Sequence, residues 1–352
     1  MKIVVLGGGL STERQVSLVT AMSVCRALRS VGHKAIFVDT FFGLEDYTGT
    51  LEEAFNQEDG FCRDLSVGTV APDIELVKAA RKWKSRSKLG KNVLEVCALA
   101  DCVFLGLHGE DGEDGKIQAA LELLGIPYTG SDHLSSAMGL DKGITKIIMQ
   151  SAGIPTAPWS EYFLRNENRE EIAAAQKLPC VVKLVNGGSS IGVYICDDRA
   201  QLISALEQAE NYHTKVIIEE KIEGRELTVP VLGDKALQAI EIIPPEGGTT
   251  FDYISKYQSG DRGAREICPA PITEEQQAYL GELALRLHNV LGLSVYSRTD
   301  FILDKNGKAW CLETNTLPGM TPNSLIPKAA KLEGLDYAQL CEKIIELSLK
   351  KV

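Results

Sequence analysis

The chain has 352 residues, of which 44% are hydrophobic and 24% charged; this excludes a mostly disordered or fibrous protein and suggests two or three packed units. Asp and Glu total 48 against 37 Lys and Arg, a net charge of −11 with no long basic run, so nucleic acid is not an expected partner. No run of about 18 apolar residues predicts a membrane span, and nine scattered cysteines without a Cys-x-x-Cys pair argue against a disulfide framework or zinc site and for a reducing, cytoplasmic setting.

The opening apolar run stops at Gly7-Gly8-Gly9, too early for a signal peptide, and reads as a buried strand at 3–6. Thr12 and Gln15 suggest a capping box for a helix that places Leu18, Ala21, Met22, Cys25 and Leu28 on one face. Strands at 35–39 and 102–107 and a helix at 116–124 follow, an alternation that predicts a parallel sheet covered by helices. Segment 43–92 reads as a solvated insertion, its Arg81-Lys82-Trp83-Lys84-Ser85-Arg86 stretch included.

After Pro127 the pattern changes. A helix at 142–151 leads through the stiff Gly153-to-Pro158 linker to strands at 180–185, 191–196, 215–221 and 225–232 and a helix at 198–210, a small antiparallel sheet with a helix on it. A third unit holds strands near 236–243, 294–303 and 308–314 and helices near 273–290 and 336–349. The expected fold class is α/β, with α+β character in part. Its domains are an N-terminal parallel α/β domain (1–130), a small central antiparallel domain (131–232) and a C-terminal α+β domain (233–352) with a lid loop.

Three places carry chemistry. Asn306-Gly307 is the preferred centre of a two-residue hairpin turn, and with that turn facing positions sum to 613. Asp300 then opposes Glu313, Arg298 opposes Asn315, and all four share one face. Opposed carboxylates repel in a plain sheet; either they are merely hydrated at an edge or a cation such as Mg²⁺ lies between them. Second, Lys183 runs into Asn186-Gly187-Gly188-Ser189-Ser190-Ile191-Gly192, where backbone N–H groups can form a nest for phosphates; the alternative is an ordinary hairpin loop. Third, Glu219 to Glu226 offers carboxylates for an adenine amino group and ribose hydroxyls, or a solvated acidic turn. Gly7-Gly8-Gly9 is too incomplete a fingerprint for a dinucleotide site, the acidic Asp111-to-Gly115 stretch lacks calcium-loop spacing, and Lys256-Tyr257 opens a Gly-rich loop, 258–266, that reads as a lid or a mobile connection.

In order, Gly8-to-Ser17, Leu107-His108-Gly109, Gly112-Glu113-Asp114-Gly115, Pro127-to-Ser131, Asp141-Lys142, Lys183 with Gly188-to-Gly192, Lys256-Tyr257, Arg298-Thr299-Asp300 and Glu313-to-Thr321 resemble the D-alanine–D-alanine ligase family of ATP-grasp enzymes. The resemblance spans nearly the whole chain and implies a three-domain ATP-grasp fold. It implies ATP-dependent joining of two D-alanines through an acyl phosphate for peptidoglycan synthesis, with ATP as co-substrate, two Mg²⁺ (or Mn²⁺) ions and a homodimer. Lys142, Lys183, Ser189, Ser190 and Lys256 would hold phosphates; Glu219 and the Ile222 backbone, adenine; Glu226, the ribose; Asp300, Glu313 and Asn315, the metals. Glu13 would bind the first D-alanine's ammonium, with His108 nearby, and Glu13, Ser189 and Tyr257 would tie the first domain to the lid. Arg298 and the Gly319 backbone would stabilise the oxyanion, and Ser324 and the Leu325 backbone would receive the second carboxylate. Lys256-Tyr257 favours D-alanine as acceptor over D-lactate; a sister ligase using D-serine or D-lactate, or a catalytically silent homologue, is the alternative. Leu184 and Ser297 stand where the family usually has proline and glycine or alanine.

Overall fold

A computed structural model describes residues 1–65, 68, 72–165, 167–188, 192–212, 215–245 and 264–351. The first unit runs β1 (Lys2–Gly7), α1 (Arg14–Ser30), β2 (Lys34–Asp39), the short helices α2 (Leu51–Ala54), α3 (Ile74–Ala80) and α4 (Val93–Cys97), β3 (Cys102–Leu105) and α5 (Lys116–Leu123). Its three strands are parallel in the order β2-β1-β3. Ile3, Val4, Val5 and Leu6 are all buried, as a strand covered on both faces requires. Gly7 is needed for close packing: a methyl group there would lie 2.5 Å from the Ala21 Cβ of α1. The predicted apolar face of α1 is correct, but the predicted capping box is not. The helix starts at Arg14 with Glu13 at the N-cap and no side-chain cap. Gln15 instead accepts a hydrogen bond from the Gly68 amide at 2.7 Å, which couples α1 to the insertion. The insertion is more than a solvated surface: its two ends meet at an isolated parallel bridge between Gly43 and Lys91, and it buries Phe55 and Arg81.

The second group comprises α6 (His133–Leu140), α7 (Lys142–Ser151), β4 (Trp159–Phe163), α8 (Arg169–Ala175), β5 (Cys180–Leu184), β6 (Val193–Cys196), α9 (Arg199–Glu210) and β7 (Lys215–Glu220). The strands form an antiparallel sheet in the order β4-β7-β5-β6, whose core joins Val182, Cys196, Val216 and Ile218 to Leu202 and Leu206 of α9. Asp198 starts α9 by accepting from the Gln201 amide at 2.8 Å.

The last group is β8 (Arg225–Leu232), β9 (Lys235–Ala236), β10 (Ile240–Ile243), β11 (Arg265–Ile267), α10 (Glu274–Val290), β12 (Tyr296–Leu303), β13 (Ala309–Asn315), α11 (Leu325–Leu332) and α12 (Tyr337–Leu349). Strand 225–232, assigned from sequence to the small sheet, pairs instead with β10 and β12. The turn before it allows this because Gly224 has no side chain: a methyl there would meet the Leu303 carbonyl at 2.4 Å. Arg265 and Glu266, the end of the predicted lid loop, are a strand paired with β10. Residues of α11 and α12 share one apolar core with β1 and α1, so the chain's end closes the first unit. No helix among the described residues is long and apolar enough to cross a membrane.

Candidate active site

The hairpin of β12 and β13 delivers the predicted pairs: Arg298 opposite Asn315 and Asp300 opposite Glu313. The route differs from the expected one. Near the turn the pairs are Leu303 with Ala309 and Phe301 with Cys311, one register short of the expected sum. The loop therefore has three residues, Lys305-Asn306-Gly307, with Gly307 at φ +79° and the Asp304 amide donating to the Lys308 carbonyl at 3.0 Å. A bulge between the Phe301 and Asp300 pairs then adds one residue on β13 and restores the register. Two opposite errors cancel at the residues that matter.

On that face Arg298 grips Asp300 with two hydrogen bonds, Nε to Oδ1 at 3.0 Å and Nη2 to Oδ2 at 2.9 Å. The Thr228 hydroxyl, from the neighbouring β8, also donates to Asp300. Glu313 takes an ion pair from Lys142 at 3.0 Å, and the Asn315 side-chain oxygen accepts from the Leu317 amide at 3.1 Å. The repulsion of the two opposed carboxylates is thus offset by neighbouring cations, Arg298 at Asp300 and Lys142 at Glu313. The donors on this face are carboxylate and amide oxygens, a set that suits Mg²⁺ or Mn²⁺.

Lys142 opens α7, which starts where Asp141 accepts from the Ile144 amide at 2.9 Å. Besides Glu313 it reaches the Gly187 carbonyl at 2.6 Å and so links the Gly/Ser loop to the hairpin. Lys183 and Glu219 lie on one face of the small sheet, since Lys183 pairs with Ile217 and Val181 with Glu219. The Lys183 ammonium is 3.2 and 3.3 Å from the two Glu219 oxygens. Burial alone would push its pKa down; Glu219, Glu313 and Glu226 outweigh that, and the net shift is upward. Glu226 lies on β8 opposite Ile302, beyond the turn that carries Ile222.

At the first unit's edge, the buried Glu13 carboxylate sits between two loops: a methyl on Gly109 would be 2.8 Å from its Oε2, and one on Gly188 3.0 Å away. His108 is buried with both ring nitrogens engaged, Nδ1 at 3.1 Å from the Leu317 carbonyl and Nε2 at 3.1 Å from the Thr20 hydroxyl. A carbonyl only accepts, so Nδ1 carries a proton. His108 thereby links α1 to the loop leaving β13. In that loop a methyl on Gly319 would lie 3.1 Å from the Ser324 Oγ. Ser324 is the N-cap of α11 and Leu325 its first residue, a place where backbone N–H groups favour an anion.

Ser189, Ser190, Lys256 and Tyr257 lie outside the described residues. A separate acidic group, Glu110, Asp111 and Asp114, brings three carboxylates within 4.8 Å of one another, but Lys88 and Lys116 pair with it. Sequence reasoning missed Lys146, a fully buried lysine one helical turn after Lys142, 3.4 Å from Glu219. Its i, i+4 spacing from Lys142 was the available signal.

Residues 2–131 match the family profile described as D-ala D-ala ligase N-terminus, and residues 148–346 the one described as D-ala D-ala ligase C-terminus. The chain is 38% identical over 345 residues to the D-alanine–D-alanine ligase of Pediococcus pentosaceus, covering 98% of this chain and 97% of that protein. It is 37% identical over 350 residues to that of Lacticaseibacillus casei, covering 99% and 96%. Among solved structures, the D-alanine–D-alanine ligase of Bacillus anthracis complexed with ATP gives a TM-score of 0.73 at 29% identity, covering 100% of this chain and 98% of that one. The D-alanine–D-alanine ligase of Coxiella burnetii gives 0.73 at 26%, covering 100% and 94%.

Proposed function

The chain belongs to the D-alanine–D-alanine ligase family, and from that premise we propose how its residues share the work. The enzyme is an ATP-dependent ligase that forms a peptide bond between two D-alanines through D-alanyl phosphate, releasing ADP and phosphate and supplying the dipeptide for peptidoglycan synthesis. The observation that carries the assignment of roles is the charge balance of the cleft. Lys142, Lys146, Lys183 and Arg298 face Glu219, Glu226, Asp300 and Glu313. ATP and two divalent ions bring four negative and four positive charges, so filling the site leaves the balance of these described groups unchanged.

Lys142 and Lys183 exchange their carboxylate partners for ATP phosphates, joined by Ser189, Ser190 and Lys256. Glu219 accepts from the adenine amino group beside the Ile222 backbone, and Glu226 takes the ribose. Asp300, Glu313 and Asn315 hold two Mg²⁺ or Mn²⁺ ions, which when bound neutralise phosphoryl oxygens. Glu13 binds the ammonium of the first D-alanine, next to His108, and with Ser189 and Tyr257 ties the first unit to the lid. A carboxylate is a poor electrophile, and both it and the γ-phosphoryl group are anionic; spreading that charge is the main catalytic task. Arg298 and the Gly319 amide stabilise the oxyanion formed when the second amine attacks. Ser324 and the Leu325 amide hold that substrate's carboxylate. Closure of the lid keeps water from the acyl phosphate. Three domains, near 1–130, 131–224 and 225–352 with strand 225–232 counted in the last sheet, a cytoplasmic setting and a homodimer complete the proposal on the family's analogy.

Competition decides the acceptor. With ATP, Mg²⁺ and equal D-alanine and D-lactate near neutral pH, mass spectrometry is expected to find D-alanyl-D-alanine as the main product and none in EDTA. A main product of D-alanyl-D-lactate would overturn the role of Tyr257, and full turnover in EDTA would overturn the metal assignment.

A further inference from the structure

Lys146 counts in the charge of the cleft but is given no ligand above, and of the four described cations its side chain is the least exposed. Its side chain has no exposure, and burial lowers its pKa against the opposing pull of Glu219. Its Nζ donates to the Thr156 hydroxyl at 2.6 Å, and that hydroxyl donates onward to the Cys311 carbonyl at 2.8 Å. The hydroxyl proton is thereby committed, and a lone pair of Thr156 is fixed on the ammonium. The remaining contact is Glu219 Oε1, 3.4 Å away. Lys146 therefore spans α7, the linker before β4, and β7, and through Thr156 it is held against β13. Burying an ammonium is a poor way to gain stability, since an apolar side chain of similar volume does as well or better.

Two lysines share the one carboxylate. Glu219 Oε1 is 3.2 Å from Lys183 and 3.4 Å from Lys146, while Oε2 faces Lys183 alone at 3.3 Å. The two cations differ in what else they can reach. Lys183 is on the strand that runs into the Gly/Ser loop, close enough to Glu313 and Glu226 to feel their charge. Lys146 is pinned by Thr156. Oε1 makes no hydrogen bond to either lysine, so if Lys183 turned to phosphate, Glu219 would keep Lys146 as an ion-pair partner at Oε1 and Oε2 would lose its one partner.

We infer that Lys146 is a positioning residue for nucleobase selection: it holds Glu219 through Oε1 so that Oε2 accepts from the exocyclic amine of adenine. The inference rests on the proposal that Glu219 meets the adenine, and it explains why a second buried lysine is placed one turn beyond the phosphate lysine.

The test compares ATP with inosine triphosphate, which has a carbonyl where adenine has the amine, in the full-length enzyme with Mg²⁺ and D-alanine. A charge-assisted hydrogen bond is worth enough that Lys146→Met should raise the KM for ATP about tenfold or more, with kcat at saturation near wild type and the preference for ATP over inosine triphosphate largely lost. Lys146→Arg should restore much of that preference. Thr156→Val, which keeps the lysine but frees it, should show the same change in weaker form, and serves if Lys146→Met does not fold. In the Glu219→Gln background Lys146→Met should change the preference no further. A preference unchanged in both Lys146→Met and Thr156→Val would overturn the inference while leaving the adenine role of Glu219 standing. A preference unchanged in Glu219→Gln would overturn that role and the inference with it.

Discussion

Arg14–Asp39 in the first unit and Lys183–Glu219 in the small sheet each bury a cation against a carboxylate, yet they are built for different ends. Asp39 is held by both oxygens: Arg14 Nη2 pairs with one at 2.5 Å, and the other accepts from Arg14 Nη1 at 3.3 Å and the Phe41 and Phe42 amides at 2.9 and 3.2 Å. Arg14 also donates to the Gly9 carbonyl at 2.7 Å and lies over the Phe42 ring. Each partner is fixed by backbone. Glu219 meets its cations only at 3.2–3.4 Å, and it has two of them. A tight pair with both oxygens hydrogen-bonded fastens a loop to a strand end. A loose pair with a surplus cation can exchange partners when an anion arrives, and contacts of this kind often tighten only with substrate bound.

The sharpest way to break the contrast is to neutralise the tight pair. Asp39→Asn leaves Arg14 buried without its countercharge, which should cost about 3–5 kcal/mol of unfolding free energy. Urea titration reads that cost, and the KM for ATP of the folded variant should match wild type. An unchanged midpoint would mean that the pair fastens nothing.

Next comes the working side of the same contrast. Glu313→Gln keeps shape and removes the charge that pairs with Lys142 and that the proposed metal ions would share. Turnover, followed by phosphate release, should fall at least about a hundredfold, with a urea midpoint close to wild type. A near-normal rate would remove Glu313 from the site; a large loss of stability would class it with Asp39.

The residues show why some of this was legible in the chain and some was not. Alternation and turn chemistry placed β12 and β13, and with them Arg298, Asp300, Glu313 and Asn315, because cross-strand pairing is a local consequence of period two. The loop length and the bulge at Leu312 were invisible, since a bulge depends on how β13 packs against its neighbours, and only their cancellation kept the pairing right. The membership of strand 225–232 was misread for a related reason: the strand's own pattern says that it is buried, not against which sheet. The Thr12–Gln15 box failed because tertiary contacts draw Glu13 toward the Gly109 and Gly188 loops. Lys146 was passed over because its carboxylate partner, Glu219, lies on another sheet far along the chain.

Two departures from the family's usual residues gain a local reason. The Leu184 amide donates to the Gly192 carbonyl at 3.2 Å, a bond proline could not make. Ser297 points away from Arg298 by strand alternation, and its hydroxyl meets Nδ1 of the buried His288 on α10 at 2.7 Å. That contact is a third fastening, directly behind the working strand, and it offers the smallest of the three tests. Burial pushes the His288 pKa from 6.5 down to about 4. Between those values the unfolded chain takes up the proton and the folded chain does not, so stability falls as the pH drops through that window. From pH 6.5 to 5 the loss should be about 1.6 kcal/mol, since the slope starts at half of 1.36 kcal/mol per pH unit at the unfolded pKa and approaches the full value below it. Urea unfolding at both pH values should show that His288→Gln loses this part of the dependence. Because the imidazole faces away from the cleft, the pH profile of kcat should be the same in the two proteins; a shifted profile would mean that the back of β12 takes part in the chemistry on its front.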